Sequence, residues 1–239
     1  MSFVLLLTAT IKPFPLHSKS GRTNSIDRED DYFKAVKFYL EKGYLVVFVE
    51  NSNYDSLRIS SLAEKYPSLE YHSFLSQKSN CGKSFGEIEI IEYAIKHSNF
   101  LKEVDYLIKI TGRYIIKNIN FLLDKTNSVE HEIYINPTRN FSWADTRIII
   151  IKKSYYFNYF LPTALKHFNE KKGSYLEIIL MRSLLFYMID GGILVLWPIY
   201  PAYDAIDGTH DEKVSFSTFK KWKYNLYYKL KKFVFKHRA

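Results

Sequence analysis

Short apolar runs alternate with amphipathic segments along the first half of the chain, and this alternation predicts the fold. The apolar runs are six to eight residues long, which is typical of buried strands, whereas the segments between them repeat apolar positions every three or four residues, as helices do. The predicted strands are 3–10, 44–51, 69–74 and 105–112, and the predicted helices are 29–42, 56–65 and 86–98. Because a strand–helix–strand order favours parallel strands with right-handed crossovers, we expect an α/β sheet flanked by helices.

The second half of the chain has a more mixed pattern. Strands are predicted at 132–138, 146–153 and 193–200, helices at 155–168 and 175–190, and a polar loop at 204–213. Residues 183–200 are strongly apolar, but Asp190 and a Gly-Gly pair interrupt them, so they predict a buried helix, a turn and a strand rather than a membrane span. The whole pattern predicts one domain with a mixed sheet over residues 1–215, followed by a tail over residues 216–239.

Positive charge is concentrated in the tail. The chain of 239 residues has a formal net charge of +9, and residues 216–239 hold eight Lys or Arg and no Asp or Glu, so residues 1–215 carry only +1. A near-neutral body is not typical of a nucleic-acid-binding domain, and we expect no nucleic-acid partner. The single cysteine, Cys81, excludes an intrachain disulfide and a cysteine-based zinc finger. It favours a reducing compartment, and since no secretory signal is recognisable we expect a cytoplasmic protein.

Polar side chains stand at the ends of the predicted parallel strands. In YLIKITGRYII (106–116), Lys109, Thr111 and Arg113 alternate, so they share one face of a strand. Polar residues also end the first two strands: Thr8, Thr10, Glu50 and Asn51. Ligands of such sheets bind beyond the carboxyl ends of the strands, so these residues form the expected ligand site. For the two cations the alternatives are a diphosphate clamp and ion pairs with acidic side chains across the strand ends.

Gly-Lys-Ser at 82–84 is a fragment of a phosphate-binding loop. A complete loop would need a glycine in place of Gln77 and an apolar strand before it, so the sequence does not predict a Walker-type NTPase. Lys83 would still lie near the first turn of a helix, where anions are favoured. It is therefore either a phosphate ligand or a solvated loop residue.

Two carboxylates and one histidine are candidates for catalysis or ligand contact. Glu177 opens a predicted helix, so it either complements the helix dipole or acts as a general base that faces the ligand site. Asp145, in WADTR, brings a second carboxylate to the start of a strand. His210, in the loop DGTHDE, is either solvated or in contact with a ligand.

The order of several motifs resembles one family. LLLTATI, VFVENS, GKSFGEIEIIEYA, IKITGRY and YLEIILMR follow one another as in the nucleotide-sugar glycosyltransferases of GT-A type, specifically the small bacterial enzymes that assemble capsule, O-antigen or lipopolysaccharide. The resemblance covers residues 3–210. It implies a GT-A (Rossmann-like) mixed sheet, a nucleotide diphosphate-sugar donor such as a UDP-hexose, and a saccharide acceptor that is lipid-linked. The alternative is a non-catalytic membrane- or nucleic-acid-binding protein on a nucleotide-binding fold.

By position, the resemblance implies roles for individual residues at the donor site. Thr8, Thr10 and Arg28 would surround the nucleotide, and Glu50 and Asn51 would approach the base or the ribose. The donor site that we predict is completed by Lys83, Lys109, Thr111, Arg113 and His210.

The resemblance also bears on catalysis and on metal binding. Glu177 matches the acidic position that is the catalytic base in inverting members, and Asp145 is the second choice. The strand that would carry the family's Asp-x-Asp metal motif ends instead in Lys109-Ile-Thr111-Gly-Arg113 and has no acidic pair. Because cationic side chains can offset diphosphate charge in place of a divalent metal, we favour metal-independent transfer and assign no metal ligand.

Apolar residues of the tail recur at helical spacing. Five of them form a stripe among lysines and aromatic residues: Phe219, Trp222, Leu226, Leu230 and Phe233. This pattern is typical of a basic amphipathic helix that lies in an anionic membrane interface. The alternatives are a helix packed on the domain with solvated lysines, and RNA binding. The membrane interpretation predicts an enzyme peripheral to the inner face of the cytoplasmic membrane.

Overall fold

The computed structural model describes residues 3–13, 21–79, 82–126, 131–139, 141–169, 172–206, 211–214 and 222–230. Its strands are β1 (Phe3–Ala9), β2 (Val46–Glu50), β3 (Leu69–Ser73), β4 (Tyr106–Thr111), β5 (Ile115–Ile116), β6 (Ile133–Ile135), β7 (Pro137–Thr138), β8 (Trp143–Ala144), β9 (Ile148–Lys152), β10 (Val195–Leu196), β11 (Tyr203–Ile206) and β12 (Lys213–Val214). Seven of them form the central sheet, in the order β10-β6-β9-β4-β1-β2-β3.

Helices cover both faces of this sheet. They are α1 (Ser25–Glu41), α2 (Leu57–Lys65), α3 (Lys83–His97), α4 (Asn99–Lys102), α5 (Ile119–Thr126), α6 (Lys153–Tyr155), α7 (Leu161–His167) and α8 (Leu176–Ile189), with a π-helical stretch, Tyr156–Phe160, between α6 and α7. Successive residues of a strand point to opposite faces. Leu5 and Leu7 therefore pack with α1, α2 and α5, whereas Val4 and Leu6 pack with α3, α7 and α8.

The strand directions follow from the connections. β4, β1, β2 and β3 are parallel neighbours, as the strand–helix–strand pattern predicted. β9 runs antiparallel between β4 and β6, so the sheet is mixed. The predicted fold class, a Rossmann-type mixed α/β sheet flanked by helices, is confirmed.

Two helices begin earlier than the apolar pattern predicted. α1 begins at Ser25 rather than at residue 29, because the Asn24 side chain accepts a hydrogen bond from the backbone N–H of Ile26 and caps the helix. α3 begins at Lys83 rather than at residue 86, directly after Gly82, whose φ of 145° favours glycine. First turns that are mostly polar, as these are, carry no apolar repeat, so the repeat marks only the later part of each helix.

The prediction of a polar loop at 204–213 is wrong at both ends, where β11 and β12 form. β11 pairs antiparallel with both β12 and β5 in a small second sheet, because Tyr203 and Ala205 turn inwards while Asp204 and Ile206 stay half-exposed. The strand predicted at 193–200 shrinks to β10, since Pro198 has no N–H with which to continue the ladder. Among the described residues, no helix has the length and apolar content needed to cross a bilayer.

Residues 222–230 form a last helix that packs on the domain. Tyr228 is buried in the core cluster that contains Tyr200. The ring of Tyr224 stacks on that of Tyr200, with centroids 4.6 Å apart, and the Asn225 side chain accepts a hydrogen bond from the Tyr200 N–H at 3.2 Å. One face of the predicted tail helix is therefore attached to the body.

Candidate functional site

A buried lysine lies at the centre of the polar groups at the strand ends. Lys109, in β4, is fully buried, and its ammonium group forms an ion pair with Glu87 of α3. It also donates hydrogen bonds to the carbonyl of Thr146 at 2.7 Å and to Oγ1 of Thr111 at 3.2 Å. Of the two alternatives for this cation, the ion pair across the strand ends is the one in the structure. Lys109 and Thr111 are thus engaged with protein groups rather than presented to a ligand.

Glu87 is a functional candidate that the sequence analysis missed. Its carboxylate also accepts a hydrogen bond from Thr8 Oγ1 at 3.3 Å, so it joins the ends of β1 and β4. Its position in the apolar repeat of α3 gave no sign of this role. The sequence offered one weak indication of this role: Glu87 is a carboxylate near the start of a helix that follows a predicted strand.

Glu177 lies in the first turn of α8 and is linked to Lys109 through Thr146. Its Oε1 accepts a hydrogen bond from Thr146 Oγ1 at 3.1 Å. Burial raises the pKa of Glu177 above its ordinary value, and the charge of Glu87 adds to the rise; hydrogen bonds from its own N–H and from Thr146, together with the charge of Lys109, offset this only in part. Thr8, Glu87, Lys109, Thr146 and Glu177 therefore form one connected polar network.

Glu50 and Asn51, which end β2, serve mainly to build the neighbouring loops. Glu50 is fully buried and accepts hydrogen bonds from the backbone N–H groups of Ile11 and Tyr54, at 3.0 and 2.9 Å. The Asn51 side chain accepts a hydrogen bond from Thr10 Oγ1 at 2.6 Å and donates one to the carbonyl of Gly86 at 3.3 Å. The Thr10–Asn51 pair thus joins the ends of β1 and β2, where the nucleotide is expected.

A Cβ atom at Gly86 would lie 2.9 Å from the amide nitrogen of Asn51 and 2.4 Å from Ser79 Oγ. Glycine therefore lets α3 approach the end of β2 closely. This approach also carries Glu87, the next residue of α3, to Lys109.

Two arginines lie near the ring of Tyr32. Arg28, in α1, is buried and donates hydrogen bonds to the carbonyls of Thr10 at 2.8 Å and Arg22 at 3.1 Å; burial lowers its pKa. Arg113, which follows β4, has a buried Nε with no hydrogen-bond partner among the described residues. Both guanidinium carbons lie 5.9 Å from the centre of the Tyr32 ring.

Among the residues that the structure describes, neither Arg28 nor Arg113 forms an ion pair within 4.0 Å. Arg113 donates a long hydrogen bond of 3.4 Å from Nη1 to the carbonyl of Ile206. Two cations without a carboxylate partner at the end of a parallel sheet are a suitable place for an anion.

Asp145 forms an ion pair with Arg147. Its carboxylate accepts hydrogen bonds from Arg147 at 2.6 and 2.8 Å and one from the Tyr203 hydroxyl at 3.3 Å. Burial lowers the pKa of Arg147, but its hydrogen bond and charge interaction with Asp145 more than offset this and the pKa is raised. Because Asp145 and Arg147 flank Thr146, the pair fixes the backbone that holds Lys109 and Glu177.

The remaining predicted residues lie apart from this network or outside the described residues. Lys83 is the first residue of α3 and has an exposed side chain. His210 lies outside the described residues. Within the described ranges, no group of three or more His, Cys, Asp or Glu side chains is arranged to hold a metal ion.

Comparisons with known proteins give only structural likenesses. No protein-family model matches the chain, and no curated protein is significantly similar to it in sequence. A protein provisionally described as a nucleotide-diphospho-sugar transferase from Desulfovibrio desulfuricans is 10% identical, with a TM-score of 0.48 over 82% of this chain and 80% of that one. An inositol-1-phosphate CTP transferase from T. maritima is 14% identical, with a TM-score of 0.47 over 82% of this chain and 84% of that one.

A cytidylyltransferase from Leptospira borgpetersenii is 15% identical, with a TM-score of 0.42 over 90% of this chain and 82% of that one. All three TM-scores are below 0.5. The function proposed below therefore rests on the residues of the site and on the motif resemblance of the sequence.

Proposed function

We propose that this chain is a glycosyltransferase. It would transfer a sugar from a nucleotide diphosphate-sugar, such as a UDP-hexose, to a hydroxyl group of a lipid-linked saccharide during assembly of a bacterial capsule, O-antigen or lipopolysaccharide. The observation that carries this proposal is the Glu177 carboxylate, which is half-buried, is held by Thr146 and has a raised pKa. Such a carboxylate is suited to accept a proton from a hydroxyl group at neutral pH.

In the proposed reaction, one bond forms and one breaks at the anomeric carbon of the donor sugar. Glu177 accepts the proton of the acceptor hydroxyl while the hydroxyl oxygen bonds to the anomeric carbon. The bond from that carbon to the β-phosphate oxygen breaks, and the departing nucleotide diphosphate keeps the electron pair. The raised pKa of Glu177 makes it a stronger base than an ordinary carboxylate.

Arg113 is the group that would meet the charge of the departing diphosphate, and Arg28, whose guanidinium is already bonded to the carbonyls of Thr10 and Arg22, would add positive charge behind it. The buried, unpaired Nε of Arg113 costs free energy until an acceptor reaches it, and a phosphate oxygen would supply one. Lys109 instead takes a positioning role in this proposal, because its ammonium already joins Glu87 to the backbone of Thr146. Of Lys109 and Arg113, the two cations for which a diphosphate contact was predicted, only Arg113 keeps that role in this proposal.

Donor binding should not depend on a divalent metal if the arginines hold the diphosphate. We expect the dissociation constant of UDP, measured by calorimetry, to be similar with EDTA and with added Mg²⁺ or Mn²⁺. Arg113→Ala should weaken UDP binding about tenfold or more in both conditions, which corresponds to about 1.4 kcal/mol. Loss of most wild-type binding on chelation would contradict the arginine site and would direct attention to Asp145 and residues 207–210 as metal ligands.

We further propose that the last helix docks the enzyme on an anionic membrane surface. Leu226 and Leu230, in the predicted stripe, are 43% and 57% exposed. At 3.6 residues per turn they lie on the opposite side of the helix from Tyr224 and Tyr228, which attach it to the domain. The stripe also includes Trp222, which is exposed; Phe219 and Phe233 lie outside the described residues.

Charge supports a lipid partner for this stripe. Lys223 and Lys229 are exposed, and they lie on opposite edges of the stripe. Residues 216–239 as a whole contain eight basic and no acidic side chains. Exposed apolar residues between lysines suit a surface of anionic lipid headgroups. Docking there would bring the enzyme to a lipid-linked acceptor.

Changing Leu226 and Leu230 together to Ser should weaken binding to phosphatidylserine-containing vesicles about tenfold or more, even at low salt, because apolar burial is lost and charge is kept. Co-sedimentation measures the binding. Leu57→Ser, at a 77% exposed position on α2, is the matched control and should bind as wild type does. Point variants are preferable to truncation, because truncation also removes the buried Tyr228. Undiminished vesicle binding by the double variant would show that the stripe is not the lipid contact.

A further inference from the structure

The hairpin of β7 and β8 stands at the ligand edge of the sheet. It connects the carboxyl end of β6 to the start of β9, and since β6 and β4 are both antiparallel to β9, this is also the edge where β4 ends. The first turn of α8 lies at the same edge, because Glu177 is bonded to Thr146. Two aromatic side chains pair here: the rings of Trp143 and Tyr175 have centroids 6.0 Å apart and are tilted by 52°.

Tyr175 occupies a position where folding alone favours a different residue. It is the N-cap of α8, and its side chain makes no capping hydrogen bond with the first turn, all of whose residues the structure describes. Ser, Thr, Asn and Asp are favoured at an N-cap because their side chains accept such bonds. Here the Leu176 N–H donates instead to Ser84 Oγ at 3.2 Å, and the Glu177 N–H to its own carboxylate. Tyr175 is also 39% exposed, so burial does not account for the ring.

Phe141, in the loop of the same hairpin, departs from a second local preference. Its φ is 65°, in the left-handed region that favours glycine or asparagine and is an outlier for a bulky side chain. It is 37% exposed. Two exposed aromatic side chains at this edge thus stand where a small residue would be more stable. Local preferences broken in this way are typical of functional sites.

We propose that Tyr175 and Trp143 form a subsite that holds a sugar ring of the acceptor, an inference that rests on the function proposed above. One face of a pyranose ring presents C–H groups, which suit the electron-rich face of an aromatic ring. Arg139 supplies donors for the sugar hydroxyl groups, because its exposed guanidinium stacks on Trp143, with Cζ 4.3 Å from the ring centre. Tyr175 precedes Glu177 by two residues, or no more than roughly 7 Å of chain. A hydroxyl group of the bound acceptor therefore lies within reach of the candidate base.

The test measures sugar binding by the full chain in the presence of saturating UDP. The probes are the methyl glycosides of glucose, galactose, mannose and N-acetylglucosamine. A sugar stacked on an aromatic ring receives NMR saturation transfer at its ring C–H groups, and their signals shift upfield. Wild type should give both effects with at least one glycoside. Tyr175→Phe keeps the ring and should bind as wild type does, whereas Tyr175→Ser should weaken binding about fivefold or more.

A matched control and a stability measurement separate binding from packing. Phe157→Ser removes a 48% exposed ring beyond the end of β9, at the opposite edge of the sheet, and should bind the glycoside as wild type does. Tyr175→Ser should unfold at the same temperature as wild type or at a higher one, because the serine caps α8 and offsets the lost ring pair.

The subsite is overturned if no glycoside binds to wild type, if Tyr175→Ser binds as tightly as wild type, or if either Tyr175→Phe or Phe157→Ser loses binding. It is likewise overturned if Tyr175→Ser lowers the unfolding temperature by more than about 4 °C, which would make the ring a packing residue. These outcomes are distinct from a failure of the proposed function. Glycoside binding without hydrolysis of any donor would overturn sugar transfer and leave the subsite in place, whereas hydrolysis that depends on Glu177 without glycoside binding would overturn the subsite alone.

Discussion

Replacing Glu177 with Gln should lower kcat for sugar transfer by about 10²–10⁴-fold while the affinity for the donor stays nearly unchanged. The amide keeps the size of the side chain and can still interact with Thr146, but it cannot accept the proton of the acceptor hydroxyl. The matched control is Glu103→Gln, the same change at an exposed position, which should leave kcat unaltered. If Glu177→Gln keeps activity within a few-fold of wild type, Glu177 is not the general base, and its role is to complement the helix dipole.

The pH dependence of kcat/KM gives an independent check on the same residue. A general base must be ionised, so activity should rise with pH through the pKa of Glu177. Because burial raises that pKa, the acid limb should lie above the ordinary range of a glutamate. Glu87→Gln should move the limb to lower pH, since the charge of Glu87 contributes to the rise. A limb at an ordinary carboxylate pKa that does not respond to Glu87 would contradict this assignment.

Replacing Lys109 with Met should destabilise the fold by about 3 kcal/mol, because it leaves the Glu87 carboxylate without its partner in a mostly buried place. The Thr146 carbonyl also loses its hydrogen bond from Lys109. Urea denaturation followed by circular dichroism measures the change in the free energy of unfolding. The matched control is Lys34→Met, which removes an exposed ion pair with Asp30 and should cost less than about 0.5 kcal/mol.

The double variant Lys109→Met with Glu87→Gln separates the ion pair from simple packing. Since the second change removes the uncompensated charge, it should recover most of the lost stability. It should not recover activity, because the link to Thr146 and Glu177 is still broken. A double variant as unstable as the single one would mean that the ion pair contributes little and that Lys109 acts through its hydrogen bonds alone.

The sequence predicted the parallel half of the sheet well because that half is buried on both faces. Runs such as 3–10 and 44–51 are apolar except at their carboxyl ends, and the amphipathic helices between them leave one simple connection. Less of the second half was predictable, because its strands are short. β11 alternates inward and outward residues over only four positions, among acidic residues that are typical of a loop.

At the site, the sequence located the crevice but not the pairing within it. Lys109 and Arg113 stand at equivalent places in the strand pattern, yet one is buried in an ion pair and the other keeps an unpaired nitrogen. The difference depends on Glu87, which lies on α3 and meets Lys109 only because Gly86 lets that helix approach the sheet. Contacts of this kind depend on how the elements pack and are not visible in residue spacing.

Slow hydrolysis of nucleotide diphosphate-sugars in the absence of acceptor tests the central claim most directly, because water can replace the acceptor hydroxyl as the group that Glu177 deprotonates. Wild type and Glu177→Gln, purified in parallel, would be incubated with a panel of donors that includes UDP-hexoses, and the released nucleotide diphosphate would be measured by mass spectrometry. We predict that wild type hydrolyses at least one donor and that Glu177→Gln binds it equally well but releases the product at least about 100-fold more slowly. Binding without release from any donor by wild type would favour the non-catalytic alternative, and equal release by both proteins would contradict the role of Glu177.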